Sequence, residues 1–205
     1  MSIEDFTSKL FSTGLARTNR WQVFIEIPEK VFSKRNLGIQ KSELKDEMKI
    51  FSNSATIPGR SLATFEAYQH RRPVKLPYQR QMEDVSINFI LNENYFIRKL
   101  FESWVQYPIN EENNMAKYIS EYSTNVIIEQ LNIQDEVIFG IKLIKAYPIS
   151  FQSIELDQSE NSFETLNVTF TYFNYEINNE RNPVTLIAQN QTNINQNIST
   201  IQNIA

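Results

Sequence analysis

Apolar and polar residues alternate along much of this chain. Trp21, Val23, Ile25 and Ile27 fall on one side of Trp21–Ile27, with Gln22, Phe24 and Glu26 on the other. That period of two predicts a strand with one core face, stopped by Pro28. Lys49–Ala55 reads as a second strand, of small polar residues, running into a turn at Pro58-Gly59. From there Ala63–Arg72 and Pro73–Tyr78 form an extended, basic, proline-marked ribbon that leaves the body of the protein. Val85, Ile87, Phe89 and Leu91 alternate with Ser86 and Asn88, which places a regular strand over Asp84–Leu91. Later strands are predicted at Asn125–Leu131, Val137–Ala146 and Ser150–Asp157, the first two joined by a turn at Asn132–Glu136. The last, Phe163–Tyr175, puts Leu166, Val168, Phe170 and Tyr172 on one face and Asn167, Thr169, Thr171 and Phe173 on the other.

Helical spacing is rarer. Phe96, Leu100, Phe101, Trp104 and Val105 recur at 3.6-residue intervals within Asn94–Tyr107, and Pro108 stands just past the end. Ile3, Phe6 and Leu10 suggest a short N-terminal helix over Ile3–Leu10 that ends near Gly14, with Glu4 and Asp5 suited to its start. Met115–Tyr122 reads as a short helix or turn. Glu29–Lys49 reads as a charged loop, inserted between two strands, with a short helix at Ser42–Met48. Strands dominate, so the expected fold is mainly β: a β-sandwich or barrel with one flanking α-helix and an extended hairpin arm. The expected organisation is one domain over residues 1–181, with 29–49 as an insertion loop and 182–205 as a C-terminal extension. In that extension Ile187, Ile194, Ile198, Ile201 and Ile204 recur at spacings of 7, 4, 3 and 3 within an Asn/Gln-rich background. This is a stripe that folds as a helix by docking; a frayed polar tail is the alternative.

Composition narrows the function classes. A chain of 205 residues buries enough surface to fold without staples, and it has no cysteine for disulfides or thiolate metal sites. A net charge of −4 and a pI near 5.2 argue against holding nucleic acid by its phosphates. The acidic start Met-Ser-Ile-Glu-Asp-Phe does not read as a signal peptide, and no apolar run approaches the roughly 20 residues of a membrane span. The four glycines, Gly14, Gly38, Gly59 and Gly140, are too dispersed for a phosphate-cradling loop.

Candidate chemistry is sparse. His70 is the single histidine and stands in His-Arg-Arg, where neighbouring cations disfavour its protonation and repel metal ions. The carboxylate pairs Glu111-Glu112 and Asp135-Glu136, and the group around Asp157–Glu160, sit in predicted turns without the dry cleft that general acid work needs. No catalytic, cofactor or metal-binding residues are predicted. The one basic patch is His70, Arg71, Arg72, Lys75 and Arg80, interleaved with Tyr68 and Tyr78. Base stacking with phosphate contacts would suit it. In an acidic chain, contact with the carboxylates and rings of another copy suits it better, since Arg is favoured at such surfaces.

An ordered set of short segments resembles the tail tube proteins of contractile-tailed bacteriophages. It begins with Asp5-Phe6-Thr7 and runs from Gly14 through Ala16-Arg17-Thr18-Asn19-Arg20-Trp21-Gln22-Val23. It continues with Ser54-Ala55-Thr56-Ile57-Pro58-Gly59, Val74-Lys75-Leu76-Pro77-Tyr78, Asp84–Leu91 and Phe101-Glu102-Ser103-Trp104. It closes with Ala146-Tyr147-Pro148, Ser153-Ile154-Glu155-Leu156-Asp157 and Phe170-Thr171-Tyr172-Phe173.

The resemblance implies a tail-tube-type β fold assembled as six-fold rings stacked into a hollow tube. Such a tube lies within a sheath, meets the baseplate and conducts the genome, with DNA passing through the lumen without specific binding. It implies a place in the virion tail, after assembly in the host cytoplasm. Under this reading Arg60, His70, Arg71, Arg72, Lys75 and Arg80 are intersubunit contacts, as are Ile194, Ile198 and Ile201 of the tail, and the bore is weakly negative. The 29–49 insertion and the tail from Asn182 leave a second reading open, a tube-initiator ring of the same fold at the baseplate. A third is a monomeric β-sandwich module that binds carbohydrate or protein.

Overall fold

An aromatic cluster between one helix and one sheet face sets the architecture. In the computed structural model the described residues are 2–5, 7–8, 15–34, 38–69, 72–154, 156–157, 159 and 162–177. Their elements run β1 (Trp21–Ile25), α1 (Glu29–Lys34), α2 (Lys41–Ile50), β2 (Ser52–Ala55), β3 (Arg60–Gln69), β4 (Arg72–Met82), β5 (Val85–Ile90) and α3 (Phe96–Gln106). Then come α4 (Ile119–Tyr122), β6 (Thr124–Leu131), β7 (Val137–Phe151), β8 (Thr165–Thr171) and β9 (Asn174–Ile177). One sheet has the strand order β1-β6-β7-β8-β5-β2, with β9 also paired to β7; β3 and β4 form a separate two-stranded sheet.

The chain divides into two compact units. The larger comprises Val23–Ile128 and Lys142–Glu176. In it β5 and β8 pair antiparallel, Val85 opposite Phe170, Ile87 opposite Val168 and Phe89 opposite Leu166, all six fully buried. Helix α3 covers that face with Ile97, Leu100, Phe101 and Trp104. The Phe101 ring lies 5.5 Å from Phe89 and 5.8 Å from Phe170, and stacks on Trp104 at 6.1 Å. The Trp104 indole N–H donates to the Tyr122 carbonyl at 2.7 Å, so the one polar atom of the ring is satisfied.

In the smaller unit, Glu129–Ile141 forms a tight turn and its flanks. The Asn132 side-chain oxygen accepts from the N–H groups of Gln134 and Glu136, and Asp135 takes the left-handed conformation at φ 61. Arg20 meets Asp135 at 2.7 Å, and Gln22 donates to Glu129.

Three predicted elements differ from what forms. The 29–49 segment is two helices rather than a loop with one short helix, and it is part of the core, since Val31, Leu44 and Met48 are buried. Each turn sends only one residue inward, so the apolar signal is thin against the charged outer face. No strand forms over Ser150–Asp157: β7 continues to Phe151, and the described residues beyond it have no regular structure. Pro148 lies within β7 at a register shift, the kind of site where strands tolerate proline. The last strand is two, β8 and β9, parted at Tyr172-Phe173. Of the N-terminal helix, residues 3–5 and 7–8 are helical and the remainder lies outside the described residues.

One half-buried carboxylate gives a measurable consequence. Glu47 of α2 accepts a hydrogen bond from the Asn92 amide at 3.3 Å, while its other oxygen is buried without a protein partner. Burial pushes its pKa up, opposed by the Asn92 bond. A carboxyl whose pKa is raised by folding destabilises the fold as pH climbs past its ordinary value. Glu47→Gln should therefore raise the melting temperature at pH 7, with the gain fading as pH is lowered to about 4. Thermal melts across that range read it directly.

Candidate intersubunit surface

Strands β3 and β4 pair with each other along ten positions, from Arg60 opposite Met82 to Gln69 opposite Arg72. Ten residues of strand rise roughly 33 Å, and every β4 side chain is exposed. A register shift at Ala63/Thr64 leaves Tyr78 as the extra residue of a bulge.

The register sorts the two faces, because paired residues point the same way. One face carries Ala63, Phe65 and Ala67 opposite Gln79, Leu76 and Val74, and ends at Arg72. The Tyr78 ring joins this face, its centroid 6.1 Å from that of Phe65. Phe65 is 50% exposed, Leu76 42%, Val74 37% and Tyr78 63%. The other face carries Thr64, Glu66 and Tyr68 opposite Pro77, Lys75 and Pro73, with Leu62 opposite Arg80 nearer the root. The charges Glu66, Lys75 and Arg80 all lie on this second face, beside Leu62 and Tyr68, and the first, apolar face is uncovered among the described residues.

The root is held firmly. The Arg60 guanidinium lies 3.8 Å from the Tyr175 ring centroid and donates to the Tyr175 carbonyl at 2.8 Å. The Tyr172 hydroxyl donates to the Glu83 carbonyl at 2.9 Å, and burial, then Tyr175, pushes its pKa up, so it stays a donor. Arg60→Lys keeps the charge but loses the planar stack and fork. It should cost about 1–2 kcal/mol in chemical denaturation, and a value near zero would mean the clamp is ornamental.

Of the sequence-derived contact residues, Arg60 is therefore engaged within its own chain. Arg72, Lys75 and Arg80 are exposed on the ribbon, Arg72 bordering the apolar face and the other two opposite it. His70 and Arg71 at the tip, and Ile194, Ile198 and Ile201 in the tail, lie outside the described residues. Sequence reasoning missed the apolar face itself. Its signal was present as Phe65, Ala67, Val74 and Leu76, but the bulge breaks the alternation and the cations draw the eye.

A second surface lies on the main sheet, opposite α3. Two cross-strand rows there are Ser54, Asn88 and Asn167, and Ser86, Thr169 and Ser150. Neither row holds a charge. The Asn88 and Asn167 side-chain oxygens are buried without a protein partner. The sheet order ends at β1 on one side and β2 on the other. Among the described residues no group of three or more His, Cys, Asp or Glu could hold a metal ion, and no helix is long and apolar enough to cross a membrane.

Comparison with known proteins identifies the family and the fold. Residues 16–178 match the family model for phage tail tube proteins. A tail tube protein of Serratia phage KSP90 is 26% identical over 162 residues, covering 78% of this chain and 87% of that protein. Among solved structures, a chain of the PVC extracellular contractile injection system, in its extended sheath–tube complex, superposes with a TM-score of 0.57 at 17% identity. That match covers 83% of this chain and 96% of the other. A chain of the anti-feeding prophage baseplate also gives 0.57, at 15% identity over 80% of this chain and 96% of the other. These likenesses establish a shared fold that is mainly antiparallel β with a flanking helix. The chain belongs to the phage tail tube protein family, whose members are structural proteins of the tail and not enzymes.

Proposed function

We propose that copies of this chain form six-membered rings that stack into the inner tube of a contractile phage tail, inside a sheath and on a baseplate, and that this tube conducts the genome. The observation that carries the reading is the uncovered apolar face of the β3–β4 ribbon, a surface that a monomer would leave in water. The solved structures of similar fold come from sheath–tube and baseplate assemblies, which suits the same partners here. The tube is built in the host cytoplasm and stays in the virion tail.

Two further features support a ring. Among the described residues β1 and β2 end the sheet, so pairing between neighbouring copies would satisfy their outer backbone groups, and closure removes the liability of an open edge. The rows of Ser54, Asn88, Asn167, Ser86, Thr169 and Ser150 then serve as bore surface. An uncharged hydroxyl-and-amide wall gives a polyanion no counterion release and so no tight hold. That is a neutral version of the weakly negative bore expected from net charge.

Electron microscopy of the purified chain at high concentration should show six-fold rings or tubes with an open centre. The assembled species should retain no duplex DNA at low salt. A chain that stays dispersed, or rings that bind DNA with a steep salt dependence, would overturn the reading.

A further inference from the structure

If the ribbon reaches a neighbouring copy, some surface of that copy must receive it. The loop between α3 and α4, residues 108–118, has the complementary character. It is pinned by backbone bonds from Asn110 N–H to the Met115 carbonyl at 3.0 Å, from Asn114 N–H to the Asn110 carbonyl at 2.9 Å and from Lys117 N–H to the Pro108 carbonyl at 2.8 Å. The Asn110 and Asn113 side chains accept from the N–H groups of Glu112 and Met115, and Asn114 adopts φ 53. A loop fixed this way loses little further entropy on binding.

What it holds out is unusual for a surface loop. Ile109, Met115 and Tyr118 are all exposed, with Ile119 following at the start of α4. The acidic Glu111-Glu112 lies between Ile109 and Met115, and residues 108–116 contain no cation. The next one, Lys117, is occupied, its ammonium 3.6 Å from the Tyr107 ring centroid. Phe173, another exposed ring, already has the Lys145 ammonium 5.6 Å from its centroid. The 108–118 loop is therefore apolar and acidic, whereas the ribbon face is apolar and bordered by Arg72.

We propose that the apolar face of the ribbon of one copy seats on the 108–118 loop of a second copy, with Phe65, Leu76 and Tyr78 against Ile109, Met115 and Tyr118, and Arg72 facing Glu112. The contact is heterologous, ribbon to loop, and so propagates from copy to copy as a ring or stack requires. It rests on the assembly reading above and adds the receiving surface to it.

The absence of cysteine makes the test clean. A chain carrying Leu76→Cys and Met115→Cys, treated as assembled rings with a short bis-maleimide, should give a covalent ladder of dimers and higher oligomers. Chains carrying Leu76→Cys alone or Met115→Cys alone should give no such ladder. A charge exchange adds a second readout. Glu112→Arg alone should raise the concentration needed for assembly about tenfold, the effect of roughly 1.4 kcal/mol, and adding Arg72→Glu should restore it. Rings that form normally but neither ladder nor respond to Glu112→Arg would overturn this contact while leaving the assembly reading intact. An unmodified chain that never assembles would overturn both.

Discussion

Replacing Trp104 by alanine will lower the melting temperature of the chain by roughly 10–20 °C. The indole is fully buried in α3, stacked on Phe101 and edge-on to Phe170 at 6.3 Å. Truncating a buried aromatic costs about 3–5 kcal/mol through lost transfer and the cavity left behind. The Tyr122 carbonyl also loses the indole N–H, and an orphaned buried acceptor adds about 1 kcal/mol or more. Taking about 5 kcal/mol as the sum, and 2–4 °C per kcal/mol for a chain of this size, gives the range stated. Trp104→Phe separates the two terms. It retains most of the ring contact, so its loss should be well under half that of alanine. Equal losses from both variants would mean that the hydrogen bond, and not packing, holds α4 against the helix.

That core was readable in advance because both of its periods are clean. Val85, Ile87 and Phe89 alternate, as do Leu166, Val168 and Phe170, while Leu100, Phe101 and Trp104 follow helical spacing; all are buried as their pattern requires. Ile97 joins them although its neighbour Phe96, not Ile97, was assigned to the face, since one position on a helix shifts the direction by about 100°. The insertion helices were poorly legible for a physical reason. Val31, Leu44 and Met48 are separated by charged residues, so little distinguishes a thinly amphipathic helix from a solvated loop.

The candidate surface was legible as a place and not as a chemistry. Prolines and basic residues marked an extended arm, and its residue numbers survive in β3 and β4. Which side chains share a face depends on the pairing register and on the bulge at Tyr78, and register is a property of two strands that neither strand's sequence states alone. Arg60 illustrates the same point: as sequence it is one more ribbon cation, yet its guanidinium is engaged by Tyr175, far along the chain.

Phe65→Asp with Leu76→Asp will abolish assembly of the chain while leaving its fold intact. Complete burial of a Phe or Leu is worth about 1.5–3 kcal/mol. Phe65, Val74, Leu76 and Tyr78 remain 37–63% exposed in the single chain, so covering the rest contributes about 1 kcal/mol each, or about 4 kcal/mol per contact. The two substitutions remove about 2 kcal/mol of that, which weakens each contact about thirtyfold, before the larger cost of bringing two carboxylates into an apolar contact. In the monomer the same side chains stand in water on one face of a two-stranded ribbon, where a cross-strand pair is worth about 0.2–1 kcal/mol. The melting temperature should therefore move by only a few degrees. Reversing Lys75 and Arg80 on the opposite face should act differently, because exposed ion pairs contribute about 1 kcal/mol or less and are screened by salt. Light scattering against protein concentration, at low and high ionic strength, distinguishes the two. If the aspartate variant assembles like the unmodified chain while the charge variant does not, the ribbon works through its cations and the apolar face is incidental.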